Sequence, residues 1–564
     1  MLSIISNWIY VFITTFALGF GVSLGVERFC KYKIKRLDSL LMTGIVAATV
    51  YAQFFSLFYK VSLVANIVLI VMCAVILFLG RADLKEMAGQ WKEEISVGKV
   101  IIVIGLFVLW AYFTSRGYFH YDSDLYHGQS IRWIEEYGIV KGLGNIHERF
   151  AYNSSSFALS ALYSMPYLFG KSMHTMNGFL AFVLSLSCLS IGKSWRVKAF
   201  SLANIAKVAA IYYLTTITNE VVAPASDYFV MCVLFFIVIR WLDCLEEDAG
   251  KIAPFALLCV LGVYALTLKL TAGLILLLLV KPAYMLIKEK RGKEIACYLG
   301  IGLLVALPWM IREVLISGWL LYPFTALDLF SVDWKMNAEF IEIDAAQIKV
   351  WGRALYDVTK LDWPIWKWFP NWFQTTLSSM EKLIILGDLA SLVISAVLTL
   401  YVFLKKKWVY LEKLLVLWTI AACYLFWQFS APLIRYGYTY ALLLVFLAII
   451  LAFEVIFETK PLVDKAVLKK RMQAVVYFGI LAYGCYKLAT TTSYILETKD
   501  MPYYLTQQTY GVYELETFEV DGETFYYPLT GDRTGYESFP SVPCQKDFEL
   551  RGEGFKDGFR PQKP

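Results

Sequence analysis

The sequence predicts an all-α membrane protein that crosses the bilayer many times. Of its 564 residues, 59% are hydrophobic and 17% are charged, whereas soluble domains carry about 25% charged residues. Long apolar runs recur from one end of the chain to the other, each close to the length of a spanning helix. Most of the ten cysteines lie inside these runs, where cysteine acts as a small hydrophobe. We therefore expect no disulfide framework.

About fourteen crossings are predicted within residues 1–490, which would form a transmembrane helical bundle. A loop rich in lysine and arginine is expected on the cytoplasmic side. Since the first run is followed by Arg28, Lys31 and Lys33, the N-terminus is predicted to lie outside. With this orientation every strongly basic loop is cytoplasmic and both termini are extracytoplasmic. The predicted crossings cover residues 7–26, 38–58, 62–80, 100–114, 174–192, 201–218, 228–242, 254–287 (two helices), 295–314, 383–404, 414–429, 438–457 and 473–490.

Residues 254–287 form one apolar run with basic residues at its second flank and a predicted cytoplasmic loop at its first. A single helix cannot begin and end on the same side of a bilayer. The run is therefore predicted to fold as two short helices that meet near Lys269. This places Lys269 at the outer surface, where it either binds a phosphate group or only extends its ammonium group to the interface.

Three further segments are predicted to lie outside the membrane. The loops 115–173 and 317–382 flank the predicted site, and the second is rich in tryptophan, which is typical of a membrane interface. The alternative for these tryptophans is stacking on a sugar or a lipid. Residues 491–564 contain glycine, proline and many aromatic residues, so they are predicted to form a small irregular or β-rich extension.

The first outer loop concentrates the titratable residues of an otherwise apolar chain. The stretch HYDSDLYHGQSIRWIEEYGIVKGLGNIHERFAYN, His120–Asn153, contains three of the four histidines. Ionisable groups next to a membrane are costly and mark candidate functional sites. Asp122 and Asp124 can serve as a general base or as ligands of a metal or substrate. The alternative is a solvated loop or a helix cap.

The same loop supplies candidate substrate-binding residues in His127, Arg132 and Arg149. The spacing of the histidines is not diagnostic of a zinc site, so zinc ligation stays open as an alternative. No cofactor is firmly predicted, and a divalent cation is the one cofactor that the sequence leaves open.

Later segments add one carboxylate and two guanidinium groups. Asp227 follows Pro224 and opens a helix, so it is either a helix cap or a second acidic residue of the site. Arg312 and Arg435 lie near prolines where helices reach the outer side. They either anchor the helices at the interface or, with Lys269, bind a phosphate and stabilise its negative charge.

The candidate residues together indicate an outer site with carboxylates, cations and an apolar flank. Such a site suits transfer from a lipid-linked phosphate donor to a polar acceptor. A carboxylate would deprotonate the acceptor hydroxyl, and the cations would stabilise the departing phosphate.

The layout resembles the GT-C class of membrane glycosyltransferases, and more closely a set of bacterial membrane proteins of polysaccharide-synthesis gene clusters. The resemblance is carried by YDSDLYHGQSIRWIEEYGIVKGLGNIHERFAYNSS, PWMIREVLISGWLLYP, APLIRYGYTY, GDRTGYESFPS and LRGEGFKDGFRP. It implies that the catalytic carboxylate is Asp122 or Asp124, that Asp227 is a second acidic site, and that Arg312 and Arg435 lie near a lipid phosphate. GT-C enzymes often have an Asp-Glu pair in this loop, whereas this chain has Asp-Ser-Asp, so the identity of the base stays open.

These observations predict a glycosyltransferase in the bacterial cytoplasmic membrane. It would move a sugar from a polyprenyl phosphate or diphosphate to an extracytoplasmic glycan, lipid or protein. The alternatives are a polysaccharide polymerase or ligase, a transporter or flippase of lipid-linked sugars, and a receptor or scaffold whose binding module is the C-terminal extension. Membrane lipids are expected partners, and nucleic acid is not, because no groove-reading or stacking surface is visible.

Overall fold

A computed structural model describes residues 1–191, 201–459, 465–497 and 502–562. Most of these residues are helical. A π-helix at Ser123–His127 leads directly into helix Gly128–Glu136, and a 3-10 helix at Leu270–Leu279 leads directly into helix Val280–Lys288. The α-helices are Leu2–Cys30, Leu37–Ser56, Leu63–Leu79, Arg81–Glu94, Val97–Ser115, Gly128–Glu136, Ser155–Ser164, Pro166–Phe169, Met176–Cys188, Leu202–Thr216, Ser226–Asp248, Ala253–Leu268, Val280–Lys288, Gly292–Ser317, Ala338–Gly352, Ile365–Thr375, Ser379–Leu404, Leu411–Ser430, Ile434–Thr459 and Lys465–Glu497.

Nine helices in the described ranges are long and apolar enough to span a membrane. A tenth span is reached if Leu63–Leu79 and Arg81–Glu94 are counted as one element, although they are bent by 77°. The predicted crossings at 174–192, 201–218 and the first half of 254–287 are helical but have only 13, 15 and 16 helical residues, fewer than the ~20 of a full crossing. The chain is thus a multi-pass helical membrane protein. The count of about fourteen crossings stays a prediction.

The apolar run around Lys269 folds as two elements, as predicted. Ala253–Leu268 ends at Lys269, whose backbone is extended (φ −158°, ψ 123°), and Leu270–Lys288 follows. A Cβ atom on Gly262 would lie 2.9 Å from the side chain of Leu276, so the two elements pack antiparallel. Lys269 therefore lies at the tip of a helical hairpin.

The two ends of the bundle carry different charged groups. Helix Ser226–Asp248 has Asp227 in its first turn, and near its other end Asp243 pairs with Arg240 and Lys207, both at 2.6 Å. Asp227 and Asp243 are about 24 Å apart along the helix axis. We call the end with Asp227 and Lys269 the site end and the opposite end the basic end.

Helix Ser155–Ser164 lies within residues 115–173, which are predicted to form the first outer loop. It is buried throughout and inserts into the bundle. Its serine hydroxyls are satisfied there: Ser155 Oγ lies 2.9 Å from Thr267 Oγ1, and Ser154 Oγ donates to the Leu268 carbonyl at 2.9 Å. These two serines join the helix to the hairpin.

The C-terminal extension contains strands, as predicted, and it packs against the outer loops. Leu515–Val520 pairs antiparallel with Glu523–Pro528, and Phe548–Leu550 pairs antiparallel with Phe559–Pro561. The extension, the first outer loop and the segment after Ser317 share a second hydrophobic core, separate from that of the bundle. Its members include Trp133, Ile146, Trp319, Phe525 and Phe559.

Candidate functional site

A cavity of about 690 Å³ lies at the site end of the bundle. The first outer loop, the hairpin tip and the first residues of helices Ser226–Asp248 and Ile434–Thr459 form its walls. Much of the lining is apolar and includes Phe157, Leu266, Trp309 and Trp427. The charged side chains that line it are Asp122, Arg149, Asp227, Lys269, Lys349, Arg435 and Asp532.

Arg435 joins two of the predicted carboxylates. Its Nη2 atom lies 2.5 Å from Asp122 Oδ2, and its Nε atom lies 3.3 Å from Asp227 Oδ2. Because a guanidinium group has donors on several sides, it can contact two carboxylates at once. The helix that starts at Ile434 thereby connects the outer loop to the bundle at the cavity.

Lys269 pairs with the other oxygen of Asp227. The Lys269 Nζ atom lies 2.5 Å from Asp227 Oδ1 and 3.1 Å from the centre of the Tyr436 ring. The hairpin tip is therefore held by an ion pair and by a cation–π contact. The structure places the Lys269 ammonium group in the cavity lining. The binding of a phosphate group by Lys269 stays a prediction.

Arg149 completes the cationic side of the cavity. Its Nη1 atom lies 3.5 Å from Asp122 Oδ1, and its Nε atom lies 3.6 Å from Asp344 Oδ1. Its guanidinium group also faces the ring of Trp351 at 5.3 Å. Asp344 is in turn bonded by the Tyr152 hydroxyl at 2.8 Å, so Arg149 is held in a fixed position.

The Asp122 carboxyl is strongly biased towards its ionised form. Burial opposes ionisation, but Arg435, His127, His120 and Arg149 outweigh it and lower the pKa of Asp122 to about 2. The backbone N–H of Asp122 donates to His120 Nδ1 at 3.2 Å, and Arg435 Nη1 contacts the same nitrogen at 2.7 Å. His120 Nδ1 thus accepts, so its 3.6 Å distance to Asp122 Oδ2 is not a hydrogen bond.

His127 lies behind the cavity and is 1% exposed. Burial lowers the pKa of its imidazole to about 3, against the opposing effect of Asp122 and Asp227. Its Nδ1 atom lies 3.4 Å from Ser123 Oγ, and its ring packs on those of Tyr126 and Phe157. His127 is therefore neutral at pH 7 and supports the acidic loop without lining the cavity.

Asp124 points away from the cavity and binds the C-terminal extension. Its Oδ1 atom accepts from the backbone N–H of Gly511 at 3.0 Å, and its Oδ2 atom accepts from the Tyr513 hydroxyl at 3.0 Å. Its carbonyl accepts from Thr534 and Gly535 at 3.0 and 2.8 Å. Burial raises the pKa of the Asp124 carboxyl. A catalytic role for Asp124 stays a prediction, but its geometry is that of an anchor.

Arg132 and Arg312 also lie outside the cavity lining. Arg132 donates to the carbonyls of Tyr536 and Glu537, both at 2.6 Å, and so holds the extension. Arg312 is 3% exposed and donates to Asn153 Oδ1 at 3.1 Å and to Ser56 Oγ at 2.5 Å. Neither side chain lines the cavity, so the predicted role of Arg132 and Arg312 in substrate binding stays a prediction.

Several cavity residues were not among the sequence candidates. Asp532 comes from the extension, Trp351 and Lys349 from the tryptophan-rich segment, and Tyr436 from the residue after Arg435. A signal existed for Asp532, because it lies in the GDRTGYESFPS stretch of an extension predicted to be on the same side. Nothing in the sequence indicates which of its many aromatic residues reach the cavity.

A divalent cation was the cofactor left open by the sequence. Among the described residues no group of three or more His, Cys, Asp or Glu side chains could hold a metal ion. Asp122 and Asp227 face the cavity, but each pairs with a cation of the chain. Positive charge at the cavity is supplied by Lys269, Arg149 and Arg435.

The fold and the site together define a multi-pass helical membrane protein with a charged cavity at one end of its bundle. The model of a family described as a domain of unknown function (DUF8201) matches residues 1–442, and the chain belongs to that family. The matched residues include Asp122, Asp227, Lys269 and Arg435, and they end before the extension. Comparisons with curated proteins and with solved structures gave no match.

Proposed function

We propose that the protein is a GT-C-type membrane glycosyltransferase that uses a polyprenyl phosphate or diphosphate sugar donor. The observation that carries this proposal is one cavity in which Asp122 and Asp227 meet Arg149, Lys269 and Arg435 against an apolar wall. The cations suit a phosphate group, and the apolar wall suits the lipid attached to it. A carboxylate next to them suits proton abstraction from an acceptor hydroxyl.

The ion pairs of the cavity suggest how a donor would bind. Phosphate oxygens placed between Lys269 and Arg435 would compete with Asp227 and Asp122 for the same donors, since phosphates accept charge-assisted hydrogen bonds. Arg435 would then neutralise the donor instead of Asp122. A carboxylate that loses its cationic partner becomes a stronger base, so donor binding would prepare Asp122 for catalysis.

The proposed reaction is a single displacement. The acceptor oxygen bonds to the anomeric carbon while the bond from that carbon to the phosphate oxygen breaks. The acceptor proton passes to Asp122, and the electron pair leaves with the polyprenyl phosphate, whose charge Lys269, Arg149 and Arg435 stabilise. The sugar is thereby transferred with inversion.

Asp122 is the preferred base on geometric grounds. Asp124 uses both carboxylate oxygens to bind the extension. Asp227 is held by Lys269 at 2.5 Å on one oxygen and by Arg435 on the other. Asp122 has one oxygen towards Arg149 at 3.5 Å, a longer contact that leaves more room for an acceptor hydroxyl.

Transfer by the protein in liposomes with undecaprenyl-phosphate-linked sugars tests this assignment. Asp122→Asn is expected to lower the rate by about 10²–10⁴-fold, the usual contribution of a general base. Asp547→Asn is the matched control, because Asp547 is an exposed aspartate of the extension and its replacement is expected to leave the rate unchanged. Full activity of Asp122→Asn would falsify the assignment.

The proposed orientation places the site end outside the bacterial cytoplasmic membrane, since the loops rich in lysine and arginine are expected inside. Cys544 is exposed in the extension. A membrane-impermeant maleimide applied to intact cells is therefore expected to label the protein at Cys544, and Cys544→Ser should lose that label. Labelling only after cell lysis would reverse the orientation.

A transporter of lipid-linked sugars is the second candidate, and one observation favours it. Asp388 lies inside helix Ser379–Leu404 with 0% exposure, and within the described residues neither carboxylate oxygen has a hydrogen-bond partner. Ionisable groups inside a bundle are common in transporters. The test measures movement of a fluorescent lipid-linked sugar across the liposome membrane. Movement that is kept in Asp122→Asn but lost in Asp388→Asn would favour the transporter, as would a wild type that transfers no sugar in the liposome assay.

A further inference from the structure

The extension contributes a carboxylate to the cavity from the far end of the chain. Asp532 lines the cavity, and the Tyr121 hydroxyl donates to Asp532 Oδ1. Tyr121 also lines the cavity and is 42% exposed. The carboxylate and the phenol therefore lie together at the accessible part of the cavity, whereas Asp122 and Asp227 are buried.

Asp532 and Tyr121 are held in place by their neighbours. The Arg533 guanidinium group lies 4.7 Å from the centre of the Tyr121 ring and 5.1 Å from that of the Tyr513 ring. Tyr513 donates in turn to Asp124. This arrangement fixes the ring of Tyr121 against the extension and keeps its hydroxyl at Asp532.

Asp124 ties two parts of the extension to the acidic loop. Its carboxylate binds Gly511 and Tyr513, and its carbonyl binds Thr534 and Gly535. The second contact lies two residues from Asp532. Asp124 thus fixes the distance between Asp122, which precedes it by two residues, and Asp532.

The helix after Asp124 adds further anchors on the C-terminal side of Asp532. Gln129 donates to the carbonyls of Gly535 and Ser538 at 3.1 and 2.9 Å, and Arg132 donates to those of Tyr536 and Glu537. These bonds go to main-chain oxygens, so they fix the backbone of the extension. The position of Asp532 is therefore determined by the fold.

We propose that Asp532 binds hydroxyl groups of a saccharide acceptor and that Asp124 is a positioning residue that holds Asp532 at the cavity. The proposal rests on the glycosyltransferase function proposed above and adds the class of its acceptor. A carboxylate accepts hydrogen bonds from sugar hydroxyls, and the aromatic faces of Tyr121 and Trp351, which is 40% exposed, suit the apolar face of a sugar ring. The phosphate-binding cations lie deeper, as the donor side requires.

Binding to the full-length protein in lipid nanodiscs separates the two sides of the site. Undecaprenyl phosphate is the donor-side probe. Methyl β-D-glucoside, methyl β-D-galactoside and methyl α-D-mannoside, tested singly, are the acceptor-side probes. The wild type is expected to bind at least one glycoside. Asp532→Asn is expected to weaken that binding by about tenfold or more, since a hydrogen bond to a charged group is stronger than one to a neutral amide. The affinity of Asp532→Asn for undecaprenyl phosphate should stay within about twofold of the wild-type affinity.

The positioning role of Asp124 is tested with the same probes. Asp124→Asn is expected to weaken glycoside binding as Asp532→Asn does, to leave undecaprenyl phosphate binding unchanged, and to add no further loss in the double variant. Equal loss of both ligands would show a general structural defect and overturn the positioning role. Asp547→Asn, in the same extension, should change neither affinity.

Two results would overturn the acceptor assignment: a wild type that binds undecaprenyl phosphate but none of the three glycosides, or unchanged glycoside affinity in Asp532→Asn. A wild type that does not bind undecaprenyl phosphate counts against the proposed function instead. A glycoside defect in Asp532→Asn that Asp547→Asn does not share would support the acceptor assignment whether or not the wild type binds undecaprenyl phosphate.

Discussion

Replacing Arg435 by glutamine is expected to destabilise the protein by about 3 kcal/mol. Arg435 contacts Asp122 and Asp227 at 2.5 and 3.3 Å, so the variant leaves two buried carboxylates without their shared cation. Loss of one partner of a buried pair costs about 3–5 kcal/mol. The low end applies because Lys269 still pairs with Asp227 and Arg149 remains near Asp122.

The share that belongs to Asp122 follows from its pKa. The pKa falls from 3.8 to about 2, and each pKa unit corresponds to about 1.4 kcal/mol. The folded environment, in which the charged neighbours outweigh burial, therefore stabilises the ionised Asp122 carboxyl by a net amount of about 2 kcal/mol at pH 7. This stabilisation is present above pH 4 and is lost as the pH falls through about 2, because the pKa is lower in the folded protein.

A double-mutant cycle with Arg435→Gln and Asp122→Asn measures this interaction. The free energy of unfolding is obtained by SDS titration from mixed micelles and followed by tryptophan fluorescence. We expect a coupling energy of about 2 kcal/mol and an intermediate stability for Arg435→Lys, since one ammonium group cannot contact both carboxylates. Arg291→Gln, which removes a partly exposed ion pair at the basic end, should cost at most about 1 kcal/mol. Additive effects of Arg435→Gln and Asp122→Asn would refute the described geometry.

Three further predictions concern pH, an intramembrane carboxyl and the extension. The pKa of His127 is about 3 in the folded protein and about 6.5 in the unfolded chain, so the free energy of unfolding should fall as the pH drops from 6.5 to 3. His127→Asn should recover about 2–3 kcal/mol of that loss at pH 4.5. Equal acid sensitivity of the wild type and His127→Asn would contradict the burial of a neutral imidazole. Asp388→Asn should not lower the unfolding free energy, since no hydrogen-bond partner to the carboxylate exists in the described residues; a loss above about 1 kcal/mol would reveal a partner. Gly535 has φ +71°, and a Cβ atom there would lie 2.4 Å from the Gly511 carbonyl oxygen, so Gly535→Ala should speed tryptic cleavage after Arg533 severalfold. Gly531→Ala is the control, because Gly531 has a similar φ of +76° but open space around its Cβ position, and it should not change the cleavage rate. Equal cleavage rates of the two variants would show that the close approach of Gly535 to Gly511 is unimportant.

The sequence predicted the parts of the site that follow from topology. The side of Lys269 could be predicted because a run of residues 254–287 has to turn between two flanks on one face. Asp227 and Arg435 were placed on that same side by the alternation of basic loops, and the structure brings both to Asp122. These predictions depend only on apolar length and on the positions of lysine and arginine.

The roles of Asp124, Arg132 and Arg312 could not be predicted in the same way. Each is a charged residue at the site end, so topology treats it like Asp122 or Arg435. Asp124 bonds to main-chain N–H groups of residues 511, 534 and 535 and to the Tyr513 hydroxyl. Arg132 bonds to the carbonyls of residues 536 and 537, and Arg312 bonds to Asn153 and Ser56. Contacts between such distant residues depend on packing, which has no periodic signal in the sequence.

The meeting of Tyr121 and Asp532 has a consequence for biogenesis. More than four hundred residues separate them, and translation and insertion proceed from the N-terminus. The cavity can therefore be completed only after the extension has been synthesised and has packed against the loop that carries Tyr121. A nascent chain that still lacks Asp532 would have an incomplete cavity, and a chain truncated after helix Lys465–Glu497 would keep the bundle without the wall that the extension supplies.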